Sequence, residues 1–310
     1  MRSRLSPRLE ALLPLMALIL ATFFWGSSFI TVSTALEDTN PYALVIMRFG
    51  CGLLLLLPLI GKDLFRIPRS TWLAGAMSGF WIFITYLTNT MGLVTLSSSE
   101  SGFLMALYVP FTPLLMWMVY SKAPQAGAIL GVIIAFAGLI LLANPFTMTF
   151  ENNWGEIVTI ASAFFSAIEI IVVGRYAPKC EARHLAFTQL VWVTAIGLCF
   201  YPIALGTGLV HKGITPTWNL ALCMLWLGTI VAVVQVLLSW AQRFISPDRA
   251  AIVFAMESVF AAIIGYFVGE RLGISGLLGG SLIVAAIIIS ELKVVNDTLT
   301  RWFKRPTKPA

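Results

Sequence analysis

Ten long apolar stretches, separated by short polar breaks, run from residue 11 to residue 292 of this chain. A helix needs about 20 apolar residues to cross the hydrocarbon core. The pattern predicts transmembrane helices over 11–36, 41–60, 71–93, 102–120, 125–143, 153–174, 185–205, 218–241, 250–268 and 274–292. The breaks carry helix-stopping residues: Asn40-Pro41, Gly61, Pro68, Pro124, Asn144-Pro145, Pro178, Thr215-Pro216 and Ser246-Pro247. They are short, so no soluble domain is expected between spans. The first stretch follows Arg2, Arg4 and Arg8 and imitates a signal peptide. It is much longer than the roughly 7–15 apolar residues of such a leader and is read as the first span.

The two halves echo one another in order. Thr22-Phe23-Phe24 sits in span 1 as Ala163-Phe164-Phe165 sits in span 6. Thr71-Trp72 opens span 3 as Thr217-Trp218 opens span 8. In the same register Asn89 matches Gln235, Pro110 matches Ser258, and Gly131 matches Gly279. Five spans per half is an odd number, so the second half enters the membrane from the opposite side. The expected fold is therefore an all-α integral membrane protein of ten transmembrane helices, arranged as two inverted five-helix repeats. Residues 1–145 form the first repeat, 146–293 the second, and 294–310 a basic cytoplasmic tail. Inverted repeats are a transporter architecture, with the site at the repeat interface near mid-bilayer.

Composition agrees. Hydrophobic residues make up 59% of the chain and charged residues 11%, against about 25% charged in soluble domains. The net charge of +6 reflects 20 Lys and Arg. With the N-terminus in the cytoplasm, only Lys212 and Arg271 fall outside and Arg48 within a span. The others flank inner helix ends, as the positive-inside rule requires. Both termini are thus expected in the cytoplasm, and the basic residues report topology rather than a nucleic-acid surface. The outer loops carry Glu37, Asp38, Glu100, Glu151 and Glu156. The cysteines (Cys51, Cys180, Cys199, Cys223) show no C-x-x-C spacing, and His184 and His211 lie in loops on opposite sides. No metal, cofactor or disulfide framework is expected. Without a phosphate-binding loop, transport driven by ATP on this chain is not expected either.

Charge inside the spans is the candidate chemistry. Glu257 lies near the middle of the apolar run from Arg249 to Arg271, about 12 Å deep at 1.5 Å per residue. An ionised carboxylate there costs several kcal/mol unless paired, hydrated or protonated. Glu257 and Glu169 are the candidates for proton exchange or for meeting a substrate ammonium. The competing readings are an interhelical hydrogen bond for Glu257 and a surface pair with Arg175 for Glu169. Arg48 cannot shed its proton, so it holds a substrate carboxylate or clamps the fold. Trp25, Ser28, Trp81, Tyr86, Asn89, Tyr108, Gln235 and Trp240 are candidate cavity residues, their aromatic faces suited to a cationic or amphipathic solute. The alternative for the aromatics is interfacial anchoring, expected of Trp72, Trp154 and Trp218 at span ends. Gly127, Gly131, Gly276, Gly279 and Gly280 read as close helix packing.

Several of these residues carry a family resemblance. Trp25-Gly26-Ser27-Ser28-Phe29, Arg48-Phe49 after Pro41, and Pro110-Phe111-Thr112 are similar to elements of the drug/metabolite transporter superfamily, specifically its ten-span EamA-type members. The specific match is Glu257-Ser258-Val259-Phe260-Ala261-Ala262 followed by Gly269-Glu270-Arg271, which resembles the family's E-P-V-F-A-A…G-E-R pattern. Ser258 stands where proline is usual, predicting a softer kink. Lys122 replaces an acidic residue after span 4. The resemblance implies a cavity lined by spans 1, 3, 4, 6, 8 and 9, with spans 5 and 10 peripheral. It also implies transport of small metabolites such as amino acids, nucleosides or drugs. The expectation is a secondary transporter of the inner or plasma membrane, exporting amino acids or related amphiphiles by alternating access. Import or facilitated passage of a nucleoside, quaternary amine or drug is the alternative. A membrane-embedded enzyme and a channel are remote ones. The expected partners are a small-molecule substrate, protons and the lipid bilayer, with the oligomeric state open.

Overall fold

The computed structural model describes residues 7–96, 98–121, 126–143, 154–267 and 274–291. Lys122, Pro124, Asn144-Pro145, Glu151, Gly269-Glu270-Arg271 and the 294–310 tail lie outside them. All regular elements among the described residues are helical. The first repeat contains α1 (Pro7–Leu36), α2 (Pro41–Ile60), α3 (Arg69–Gly92), α4 (Ser98–Met105), α5 (Tyr108–Tyr120) and α6 (Ala126–Ala143). The second contains α7 (Trp154–Tyr176), α8 (Ala182–Gly206), α9 (Trp218–Ala241), α10 (Pro247–Phe254), α11 (Met256–Phe267) and α12 (Ile274–Glu291). These twelve helices make ten spans, because α4–α5 and α10–α11 are each one interrupted span.

Local chemistry sets the helix ends. Asn40 caps α2 by accepting a hydrogen bond from the Ala43 amide, and Pro41 supplies a preset φ at the first helical position. Gly61 ends α2 at a positive φ of 49°. Thr217 caps α9 by accepting from the Leu220 amide. The first interruption also has a local cause. Pro110 has no amide to donate to the Ala106 carbonyl, and the Val109 amide takes that acceptor at 3.0 Å in a tighter turn. The second forms without proline: the Ser258 amide donates to the Ala255 carbonyl at 3.2 Å instead of reaching back a full α-turn. The helix is interrupted there despite the missing proline, where a softer kink was expected.

Six helical segments are long and apolar enough to span a membrane by length and composition alone: 12–36, 41–66, 100–120, 154–179, 182–206 and 218–241. The others depart for visible reasons. α3 is diluted by Ser78, Thr85, Thr88, Asn89 and Thr90; α6 and α12 are apolar but only 18 residues long; α10 and α11 are halves. Large apolar side chains such as Leu54, Trp117, Met118 and Leu277 lie exposed on the perimeter. In water this much exposed apolar surface would mark a binding or aggregation face; here it suits lipid.

Packing follows the repeat. α3 packs on α7 and α8, as α9 packs on α1 and α2. α5 packs on α7 as α11 packs on α1, while α2 meets α8 and α6 meets α12 across the pseudo-two-fold. The α6–α12 seam is tight: a Cβ at Gly138 would stand 2.7 Å from the Gly279 carbonyl oxygen. One pairing breaks the symmetry. α5 packs against α10, but among the described residues its counterpart pair, α4 and α11, makes no comparable contact. Among the described residues, the interrupted spans meet on the face where the chain begins and are parted on the other.

Candidate central cavity

Between the repeats lies a cavity of about 740 Å³, its open mouth included. α1 and α7 build opposite walls with the same pattern. α1 presents Trp25, Ser28, Phe29 and Val32; α7 presents Ser166, Glu169, Ile170 and Val173. Both sets fall at i, i+3, i+4 and i+7, one helical face, and they are register mates in the repeat. α2 adds Arg48, α3 adds Thr85, Tyr86 and Asn89, and the interrupted spans add Met105, Tyr108, Phe254 and Glu257. α9 reaches the cavity only at its end, through Leu238 and the following Gln242.

Arg48 is 3% exposed, and neither its Nε nor its Nη2 has a hydrogen-bond partner. Among the described residues no carboxylate lies within ion-pair distance of it. Its guanidinium sits 4.7 Å from the centroid of the Tyr86 ring and 5.9 Å from that of Phe49. The ring faces attract the cation but cannot accept its N–H groups as an oxygen would. Tyr86 is held in turn, accepting from Trp25 Nε1 at 2.9 Å and lying edge-on to Phe49 at 4.9 Å. The result is a buried, fixed cation in the cavity wall, with Nε and Nη2 unpartnered.

The carboxylates come from the second repeat. Glu257 lies in the first turn of α11 and lines the cavity together with Tyr108. Glu169 is 6% exposed and turned into the cavity. The surface pair with Arg175 does not form. Ser162 Oγ donates to the Thr85 carbonyl at 2.7 Å and Asn89 Nδ2 to Ser101 Oγ at 3.3 Å, tying α7 and α4 to α3.

The structure thus brings Trp25, Ser28, Arg48, Tyr86, Asn89, Tyr108, Glu169 and Glu257 onto one cavity. Three candidates lie elsewhere. Trp81 packs its ring against Phe80 and Phe165. Trp240 packs against Phe244, beyond the cavity floor. Gln235 is 1% exposed within the bundle, with neither Nε2 nor Oε1 partnered. Thr85, Ser166, Phe254 and Gln242 line the cavity although sequence reasoning passed over them. The repeat register held a signal for Ser166, the mate of Trp25. α2 joins the six spans that the resemblance implied, whereas α6 and α12 stay off the cavity.

Two motifs that read as separate in the sequence touch here. A Cβ at Gly26 would stand 2.8 Å from the Glu257 carbonyl oxygen and 2.9 Å from the Ala261 amide nitrogen. Only glycine allows α1 and α11 to approach this closely.

The sequence profile of the EamA-like transporter family matches residues 12–144 and 153–292, nearly the whole chain. The chain belongs to the EamA-like transporter family. It is a multi-pass membrane transporter and not an enzyme, and the two matches are its two repeats. An uncharacterized transporter of Archaeoglobus fulgidus is 29% identical over 284 residues, covering 90% of this chain and 86% of its own. A second from the same organism is 25% identical over 279 residues, covering 88% and 94%. A solved crystal structure superposes with a TM-score of 0.73 over 94% of this chain and 98% of its own, at 14% identity. That likeness concerns the EamA fold alone.

Proposed function

We propose that the protein exports amino acids or related zwitterionic amphiphiles by alternating access, exchanging them for protons at Glu257 or Glu169. One observation carries the reading: a guanidinium with unpartnered N–H groups shares an aromatic-walled cavity with two carboxylates. A ligand carboxylate is drawn to the Arg48 cation, and its ammonium meets a carboxylate. A solute with only a cation, such as a quaternary amine, leaves Arg48 unmatched and is disfavoured by its charge. Alternating access draws on the packing of α5 on α10 with α4 parted from α11. One side is shut while the other is open, and the two interrupted spans supply the joints. With the chain start in the cytoplasm of an inner or plasma membrane, the open side is the external one.

The test uses purified protein in proteoliposomes. A thermal-shift screen of amino acids, nucleosides and quaternary amines identifies the ligand class, with amino acids expected to stabilise. Flux of the stabilising solute is then driven by a pH gradient. Glu257→Gln is expected to abolish gradient-driven flux while leaving the melting temperature unchanged. Equal flux of the wild type with and without the gradient refutes proton exchange.

A further inference from the structure

A second cavity, of about 1370 Å³ with its open mouth, lies on the parted face beyond the first. The two are successive along the same helices. Leu93 belongs to both walls, and along α1 Val32 faces the inner cavity while Ser33 faces the outer one. A solute leaving the central cavity on this side crosses the outer one.

Its wall is built rather than incidental. Lys212, in the connection between α8 and α9, donates from Nζ to the Leu36 carbonyl at 2.9 Å and to the Glu37 carbonyl. Its own carbonyl accepts from Asn40 Nδ2 at 2.9 Å. An ammonium has three donors; these contacts engage two and fix the charge in position with a third to offer. Tyr42 and Trp154 bring aromatic rings to the same wall, and Glu37 brings a carboxylate. The central cavity has the same parts: a held cation, carboxylates and aromatic faces.

We propose that the outer cavity is a second binding site for a zwitterionic amphiphile of the class that the central cavity takes. The ligand carboxylate meets Lys212, and its ammonium faces Glu37. The inference rests on the proposed function, since it assumes that a zwitterion passes through.

The experiment counts bound radiolabelled L-phenylalanine and L-leucine per chain at saturation, by scintillation proximity on detergent-purified full-length protein. The expected result is two molecules per wild-type chain and one in Arg48→Ala. Adding Lys212→Ala to Arg48→Ala should eliminate the remaining site, and Lys212→Arg, which keeps the charge and donors toward the Leu36 and Glu37 carbonyls, should retain it. One molecule per wild-type chain, lost in Arg48→Ala, overturns the outer site and leaves the proposed function standing. Residual binding that Lys212→Ala leaves unaltered also overturns it. Failure of both probes to bind the wild type defeats the proposed function, and the outer site with it.

Discussion

The two repeats share a scaffold but not a chemistry. α1 and α7 offer the cavity the same four-position face, yet Ser28 occupies in one the place that Glu169 occupies in the other. In the interrupted spans Glu257 has Val109 as its register mate, and Val109 is fully buried in the core. α3 gives the cavity Thr85, Tyr86 and Asn89, whereas α9 reaches it only near its end. The guanidinium comes from the first repeat and both carboxylates from the second. Symmetry delivers the shared scaffold. The unmatched residues give the cavity its charges, and both repeats contribute to them.

Removing the first repeat's unique charge should have the largest effect. Arg48→Ala is expected to lower proteoliposome transport about 100-fold, since a buried charge left without its partner costs several kcal/mol. The melting temperature should hold or rise, because the deleted guanidinium has N–H groups without protein acceptors. A large fall in melting temperature would make Arg48 a structural clamp instead. Next comes making the repeats alike: Glu169→Ser installs the residue of its register mate and should reduce ligand affinity about tenfold, measured by the same binding assay.

Smaller effects test the scaffold. Gly26→Val forces a side chain against the α11 backbone and should destabilise the protein by about 1–3 kcal/mol, read as a lower melting temperature. The smallest is Asn40→Ala, which removes the α2 cap and one tether of the 207–217 connection. It should cost about 1 kcal/mol, with transport largely retained.

Much of the architecture was legible because the bilayer enforces it. Span limits at Pro41, Ile60, Trp218 and Ala241 coincide with the structure since capping residues and apolar length point to the same boundaries. The interruptions were harder to see. Ala255 is an ordinary helix former, and nothing local in the sequence stops the chain there. Pro110 held a clue to the first interruption, three residues beyond the turn. In the site, charged residues were the readable part, because burying Arg48, Glu169 or Glu257 is too costly to be casual. Aromatic residues were not: Trp25 and Trp81 look alike in sequence, and only helix rotation puts one on the cavity and the other against Phe165. The register match of Asn89 with Gln235 misled for the same reason. The repeat preserves position along the helix, while the closed face turns Gln235 into the bundle.

The contact of Gly26 with the backbone of Glu257 ties the most recognisable stretch of the first half to that of the second. Position 26 and position 257 therefore form a single packing unit. Neither half can be exchanged with that of a distant relative unless the opposing surface travels with it. A chimaera that breaks this match should lose the carboxylate's placement even with every charged residue intact.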